Sequence, residues 1–252
     1  MKMGTVIRTI PRRSREALRE LAAAGSATVH EAMGRAGLMR PYMRPIYPGA
    51  RIAGNAVTVL VHPGDNWMIH VAVELCQPGD VLVVAVSAEH CDGMFGELLA
   101  TSYQARGVVG LVIDAGVRDV AELTAMRFPA WSRCISAKGT IKSALGNVNT
   151  PVICAGMLVH GGDVVVADDD GVAVVPHAHV DATILAARQR IERETNKRAR
   201  LAAGELGLDI EKMRLRLEAL GLRYYETLED ARTSEGEEAA PCATPAVLPS
   251  VK

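Results

Sequence analysis

Two short segments of this chain carry residue types that can do polar chemistry at a defined spacing. One is Gly96-Glu97-Leu98-Leu99 and the other is Arg118-Asp119, with twenty residues between Glu97 and Arg118. A glycine just ahead of a helix lets a ligand come close to the backbone. The free N–H groups and partial positive charge of a helical first turn suit a carboxylate. Arg118 can grip a carboxylate through two parallel hydrogen bonds. Asp119 supplies a hard oxygen for Mg²⁺ or Mn²⁺. Together these groups could hold a small 2-oxo acid, its carboxylate on Arg118 and the amides of Leu98 and Leu99, its keto oxygen toward a metal. A structural reading also exists. Acids such as Glu97 and Asp119 stabilise any helix start, and an Arg-Asp pair is commonly a solvated ion pair.

The elements around these segments decide whether they can meet. VLVVAV at 81–86 and VVGLVI at 108–113 are continuous apolar runs that read as buried parallel strands. Each is followed by a loop and a helix, the first from Gly96 to about Arg106, the second over Arg118–Met126. This strand–loop–helix repeat predicts parallel strands with crossover helices. If the two strands are neighbours, the loops after them, 87–96 and 114–118, share one sheet edge.

Upstream, Ser14–Ala24 reads as a Ser-capped helix ending at Gly25, Ser26–Arg35 as a second helix, Arg51–His62 as a strand and Trp67–Cys76 as a helix. Downstream, Pro151–Ala155, Val164–Ala167 and Val172–Val175 read as short strands, with Asp168-Asp169-Asp170-Gly171 as a hairpin turn rather than a cation loop. Val180–Ala203 is a long polar helix and Ile210–Leu220 a short one. From Glu226 the chain turns acidic and then Ala/Pro-rich, which predicts one domain over 1–225 and a disordered tail over 226–252.

Other chemistries find little support. Lys plus Arg is 28 and Asp plus Glu is 29, a net charge of −1, which argues against nucleic-acid and anionic-membrane partners. The five cysteines form no CxxC pair, so neither a disulfide framework nor a zinc knuckle is expected. No apolar leader and no uncharged run of about 18 residues stands in the sequence, so a cytoplasmic setting is the expectation. GxGxxG, Walker A and GxSxG motifs are missing, and none of the seven histidines has HExxH spacing.

The spacing of Glu97 and Arg118-Asp119 resembles the acid-x20-Arg-Asp motif of the class II 4-hydroxy-4-methyl-2-oxoglutarate / 4-carboxy-4-hydroxy-2-oxoadipate aldolases. PGDNWMIHVA (63–72), GLVIDAGVRDV (110–120), VVVADDDGVAVVP (164–176) and LAAGELGLD (201–209) resemble the 4-carboxy-4-hydroxy-2-oxoadipate branch, and the likeness runs over roughly 5–225. It implies an α/β/β sandwich of the RraA-like type with a long C-terminal helix, assembled as a homotrimer or homohexamer. It implies retro-aldol cleavage to pyruvate and oxaloacetate, with oxaloacetate decarboxylation, in protocatechuate or gallate 4,5-cleavage. Asp119 would be the direct ligand of Mg²⁺ or Mn²⁺, Arg118 the substrate-binding and base-orienting group, and Gly96–Leu99 the carboxylate cradle. Glu97, where the family usually has Asp, would act through a metal-bound water. So would Glu194 of a neighbouring subunit, with Glu192 as the alternative. A second reading is a non-catalytic binding protein like the RNase E regulators that share the fold, from which Asp119 distinguishes this chain.

Overall fold

The computed structural model describes residues 2–238. Among the described residues there are eleven strands and nine α-helices, and the fold is mixed α/β. The strands are β1 (Arg44–Pro45), β2 (Ile52–Val61), β3 (Asp80–Val86), β4 (Gly93–Phe95), β5 (Gly110–Val117), β6 (Ala130–Ile135), β7 (Asn147–Val148), β8 (Val152–Cys154), β9 (Met157–Val159), β10 (Val164–Asp168) and β11 (Gly171–Val175). The helices are α1 (Arg15–Ala24), α2 (Ser26–Ala32), α3 (Trp67–Ala72), α4 (Glu97–Ala105), α5 (Val120–Ala125), α6 (Val180–Ala202), α7 (Gly207–Ile210), α8 (Arg214–Ala219) and α9 (Leu228–Glu238).

The main sheet runs β1-β6-β5-β3-β2-β10-β11, with β4 added to β5 and β7 to β2. Its centre is parallel: β2 pairs β3, β3 pairs β5 from Val81↔Gly110 to Val84↔Ile113, and β5 pairs β6. The two valine-rich runs are therefore neighbours, which meets the condition for their following loops to share an edge. Strands buried on both faces need no polar alternation, and β3 is buried along all but its last residue. On one face Val57, Val59, Leu82, Val84, Leu111 and Ile113 pack under α3, α4 and α5 through Ile69, Tyr103 and Leu123. On the other, Val81, Val83, Val112 and Trp131 pack against Met39, Met43 and the β8–β9 hairpin. A third cluster joins Leu18, Leu21 and Val29 to Val164, Val166 and Val175.

Local chemistry sets the ends of these elements. Ser14 caps α1, its hydroxyl accepting from the Ala17 N–H at 3.3 Å, and Gly25 closes the helix at φ 82°. Asp168 and Gly171 pair across β10–β11, so Asp169 and Asp170 form the expected two-residue turn. The Asp168 carboxylate is buried and accepts from the Ser26 N–H at 2.8 Å and the Ser26 hydroxyl at 2.5 Å. It ties α2 to the sheet and also accepts from the Asp170 N–H within the turn at 3.1 Å.

Several expectations need correction. The long helix is not C-terminal: α6 spans 23 residues, and α7, α8 and α9 follow it. The segment read as one short helix over 210–220 is two, α7 and α8, with a turn between. By its contacts the chain divides at Thr195/Asn196 into two compact units. Of the tail over 226–252, Leu228–Glu238 forms α9, and residues 239–252 lie outside the described residues. β4 and β6 were not legible as strands. Among the described residues no helix is long and apolar enough to cross a membrane.

Candidate active site

The loops after β3 and β5 converge at the carboxyl edge of the parallel strands. β4 lies against the end of β5, pairing Gly93 with Gly116 and Phe95 with Val117. The register slips between Ile113 and Gly116 on the β6 side, the kind of irregularity that re-aims side chains beside functional sites. The Arg118 N–H then donates to the Phe95 carbonyl at 2.9 Å, which fixes Arg118 beside Gly96. Asp119 follows in the left-handed region, at φ 56° and ψ 42°. That conformation is uncommon outside glycine, and aspartate tolerates it better than most side chains.

This turn swings the Asp119 carboxylate back to the start of α4. Asp119 Oδ2 accepts from the Glu97 backbone N–H at 3.0 Å and lies 3.6 Å from Arg118 Nε. Gly96 is what permits this approach. A methyl group added there would sit 2.2 Å from Asp119 Oδ2 and 3.0 Å from Arg118 Cγ. Gly96 also has no side chain to cap α4. The N–H groups of Leu98 and Leu99 at its first turn remain open to a ligand.

Gly96, Leu98, Leu99 and Arg118 line a pocket of about 100 Å³ together with Asn66, His70, Gly93, Met94 and Lys142. The sequence singles out neither Asn66 nor Lys142, and His70 lacks the HExxH spacing of a metal ligand. Asn66 is 7% exposed; its Nδ2 donates to the Met94 carbonyl at 3.0 Å, while its buried Oδ1 has no partner. A buried acceptor without a donor costs free energy unless a ligand or water supplies one. Asp65 positions this wall. Its carboxylate accepts from the N–H groups of Trp67 at 2.9 Å, Ser143 at 2.6 Å and Ala144 at 2.9 Å, so it ties the loop bearing Lys142 to the start of α3. Burial alone would raise the Asp65 pKa, but these N–H donors and the Ser143 hydroxyl outweigh it and hold the carboxyl below the usual range. Partial burial and then Lys142 push His70 down, which favours a neutral ring with a free lone pair near pH 7 and leaves Arg118 and Lys142 as the cations of the pocket.

The sequence-predicted groups divide accordingly. Gly96, Leu98, Leu99, Arg118 and Asp119 come together. Glu97 joins them through its backbone; its side chain turns along α4, where Oε1 accepts from the Thr101 hydroxyl at 3.0 Å. Glu194 stands on α6 in an ion pair with Arg190 at 2.8 Å, and Glu192 is exposed on the same helix. Among the described residues no group of three or more His, Cys, Asp or Glu side chains could hold a metal. A metal here would therefore rest on one carboxylate, with Asp119 Oδ1 free for it. That fits a hard, largely hydrated ion such as Mg²⁺ and does not fit a closed zinc site.

Residues 26–174, more than half of the chain, match the family described as RraA-like, aldolase/RraA. The chain belongs to the RraA-like family. Within it, a protein of Halalkalibacterium halodurans named "Putative 4-hydroxy-4-methyl-2-oxoglutarate aldolase" is 29% identical over 148 residues, 59% of this chain and 70% of that one. One of the same name from Burkholderia multivorans is 32% identical over 143 residues, covering 57% of this chain and 87% of its own. Among solved structures, Streptomyces coelicolor RraAS2, described as an unusual member of the RNase ES inhibitor RraA protein family, superposes with a TM-score of 0.67 at 28% identity. That match covers 75% of this chain and 99% of RraAS2. The family match spans every residue of the site described above.

Proposed function

We propose that this RraA-like protein is a divalent-metal-dependent lyase that cleaves a carbon–carbon bond in a small 2-oxo acid and releases pyruvate. The preferred substrate in this reading is 4-carboxy-4-hydroxy-2-oxoadipate, giving pyruvate and oxaloacetate in protocatechuate or gallate 4,5-cleavage, with oxaloacetate decarboxylation as a second activity. 4-Hydroxy-4-methyl-2-oxoglutarate and oxaloacetate alone are the alternatives. The observation that carries the reading is the Arg118-Asp119 pair locked over Gly96 by the Glu97 N–H, beside a cationic pocket with an unpaired buried acceptor.

Each group has a task in such a reaction. Arg118 and the N–H groups of Leu98 and Leu99 bind the carboxylate next to the keto group. Asp119 would hold Mg²⁺ or Mn²⁺, which supplies Lewis acidity at the keto oxygen. Asn66 Oδ1 accepts a hydrogen bond from the substrate hydroxyl or a bound water, the donor it lacks in the free protein. Lys142 faces the further carboxylates that distinguish a multiply charged substrate from pyruvate. A water oriented by Arg118 takes the hydroxyl proton and later returns one to the remaining fragment; the adjacent C–C bond breaks, and the hydroxyl carbon becomes the carbonyl of the departing fragment. The remaining fragment is protonated and leaves as pyruvate. Prearranged charge of this kind acts where negative charge develops, without reorganisation during the reaction.

The proposal includes self-assembly as a homotrimer or homohexamer, with Glu194 or Glu192 of a neighbouring copy completing the water shell at Asp119. A mixture of Arg118→Ala and Glu194→Ala chains, refolded together, should regain turnover that neither shows alone; no regain counts against shared sites. The likeness to RraAS2 supports a second reading, a non-catalytic binding protein. Pyruvate release from each of the three acids, with and without Mg²⁺, separates the two. Metal-dependent release from any of them supports the lyase, and none from all three supports the binding protein.

A further inference from the structure

A pair of thiols sits behind the site, where the loop feeding β4 crosses the end of β6. Cys134 lies on β6, paired with Gly116 of β5. Cys91 lies in the loop directly above: its carbonyl is 2.6 Å from where a Cβ on Gly116 would stand, so glycine at 116 lets the loop press onto the sheet. Cys134 Sγ is 3.6 Å from the Cys91 carbonyl oxygen, to which its thiol donates. The loop is clamped on either side of this contact. The Asp92 carbonyl accepts from the Gly116 N–H at 3.1 Å, and its carboxylate meets His90 at 2.9 Å and Lys138 at 3.0 Å. Of the four cysteines among the described residues, Cys76 and Cys154 are buried, Cys91 is exposed and Cys134 is partly so.

We propose that Cys91 and Cys134 form a reversible disulfide on exposure to a hydroperoxide, joining the loop that delivers Gly96 to the strand beside it. The Cys134 sulfur lies against the Cys91 backbone, and Cys91 sits over Gly116, the sheet partner of Cys134, so the two residues are neighbours, as a disulfide requires. Cys91 is the attacking thiol, because it is exposed, while burial and the neighbouring Cys91 push the Cys134 thiol up to about 11. The Cys91 thiolate attacks the peroxide: an S–O bond forms, the O–O bond breaks and hydroxide (or alkoxide) leaves. Cys134 sulfur then attacks the Cys91 sulfenic sulfur, so that S–S forms, S–O breaks and the leaving hydroxide takes the thiol proton as water. For hydrogen peroxide, two thiols are oxidised and one peroxide becomes two waters.

The experiment uses the full chain. The protein is treated with a few equivalents of hydrogen peroxide, quenched with an alkylating reagent, digested without reductant and read by mass spectrometry. The expected result is a cross-link between the Cys91 and Cys134 peptides that dithiothreitol removes, with Cys76 and Cys154 alkylated only after unfolding. Cys134→Ser should halt at a sulfenic acid on Cys91, trapped by a cyclic dione. Cys91→Ser should leave Cys134 reduced under the same dose. Closing this loop should also raise the melting temperature of the oxidised wild type by several degrees over the reduced protein, a shift missing from both variants. The proposal is overturned if both cysteines remain alkylatable, if Cys91 proceeds to sulfinic acid with Cys134 present, or if Cys91 links to another cysteine instead.

Discussion

Replacing Gly96 by alanine tests how the site is assembled, because the added methyl would stand 2.2 Å from Asp119 Oδ2. Ordinary carbon–oxygen contact needs a little over 3 Å, so the carboxylate or the start of α4 must move by about 1 Å. Asp119 has little freedom to follow, since its backbone is already in the left-handed region. The Glu97 N–H to Oδ2 bond, 3.0 Å long, would open. Losing one hydrogen bond to a charged group costs about 1.5–3 kcal/mol of stability. Misplacing a reacting group by about 1 Å costs on the order of 10²-fold in rate. Gly139→Ala is the matched control, because its methyl would meet Arg118 Nη1 at an ordinary 3.7 Å. Urea unfolding should show Gly96→Ala folded but weakened. Pyruvate-release kinetics should show kcat/KM down about a hundredfold, with Gly139→Ala near wild type. A Gly96→Ala enzyme within threefold of wild type would refute the locked arrangement.

Other outcomes follow from the same geometry. Asp65→Asn keeps the shape but turns one accepting oxygen into a donor facing the N–H groups of Ser143 and Ala144, so it should lose about 2–3 kcal/mol at neutral pH. The Asp65 carboxyl is held below its ordinary value in the folded state. Its contribution is therefore complete above the unfolded value, near 3.9, and lost as pH falls below it. The wild-type advantage over Asp65→Asn in urea unfolding should shrink from pH 5 to pH 3; a constant gap would contradict this. Lys142→Met removes an exposed charge at the pocket and should raise KM for the three-carboxylate acid about 3–10-fold, with a smaller rise for oxaloacetate. Equal effects on both acids would mean that Lys142 does not read the additional carboxylates.

Much of the positioning frame is legible in the sequence because it is local. Short continuous valine-rich runs bounded by turns read as buried strands, and the crossover pattern makes them parallel; once they are neighbours, the meeting of Gly96 with Arg118-Asp119 follows. β4 and β6 carry no local strand signal: Gly93–Phe95 is three residues inside a loop, and AWSRCI over 130–135 shows neither alternation nor a continuous apolar run. Asn66 and Lys142 reach the pocket only because β2 lies next to β3 and Asp65 binds a loop 78 residues away, which no local spacing encodes. Glu97 shows a different limit. Its acid type drew attention to the right position, yet the structure uses its N–H, and any residue except proline could provide that. The aspartate triplet at 168–170 reads correctly as a turn because the turn rule is local as well.

The central claim is that Asp119 holds the ion that makes carbon–carbon cleavage possible. Its most direct test is pyruvate release from 4-carboxy-4-hydroxy-2-oxoadipate by wild type and Asp119→Asn, each stripped with EDTA and titrated with Mg²⁺, with metal affinity followed by calorimetry. Wild type should be inactive when stripped and recover fully with Mg²⁺, while Asp119→Asn should bind the ion weakly and recover only in part at high concentration. Full turnover by the stripped wild type, or normal Mg²⁺ affinity and turnover in Asp119→Asn, would contradict it.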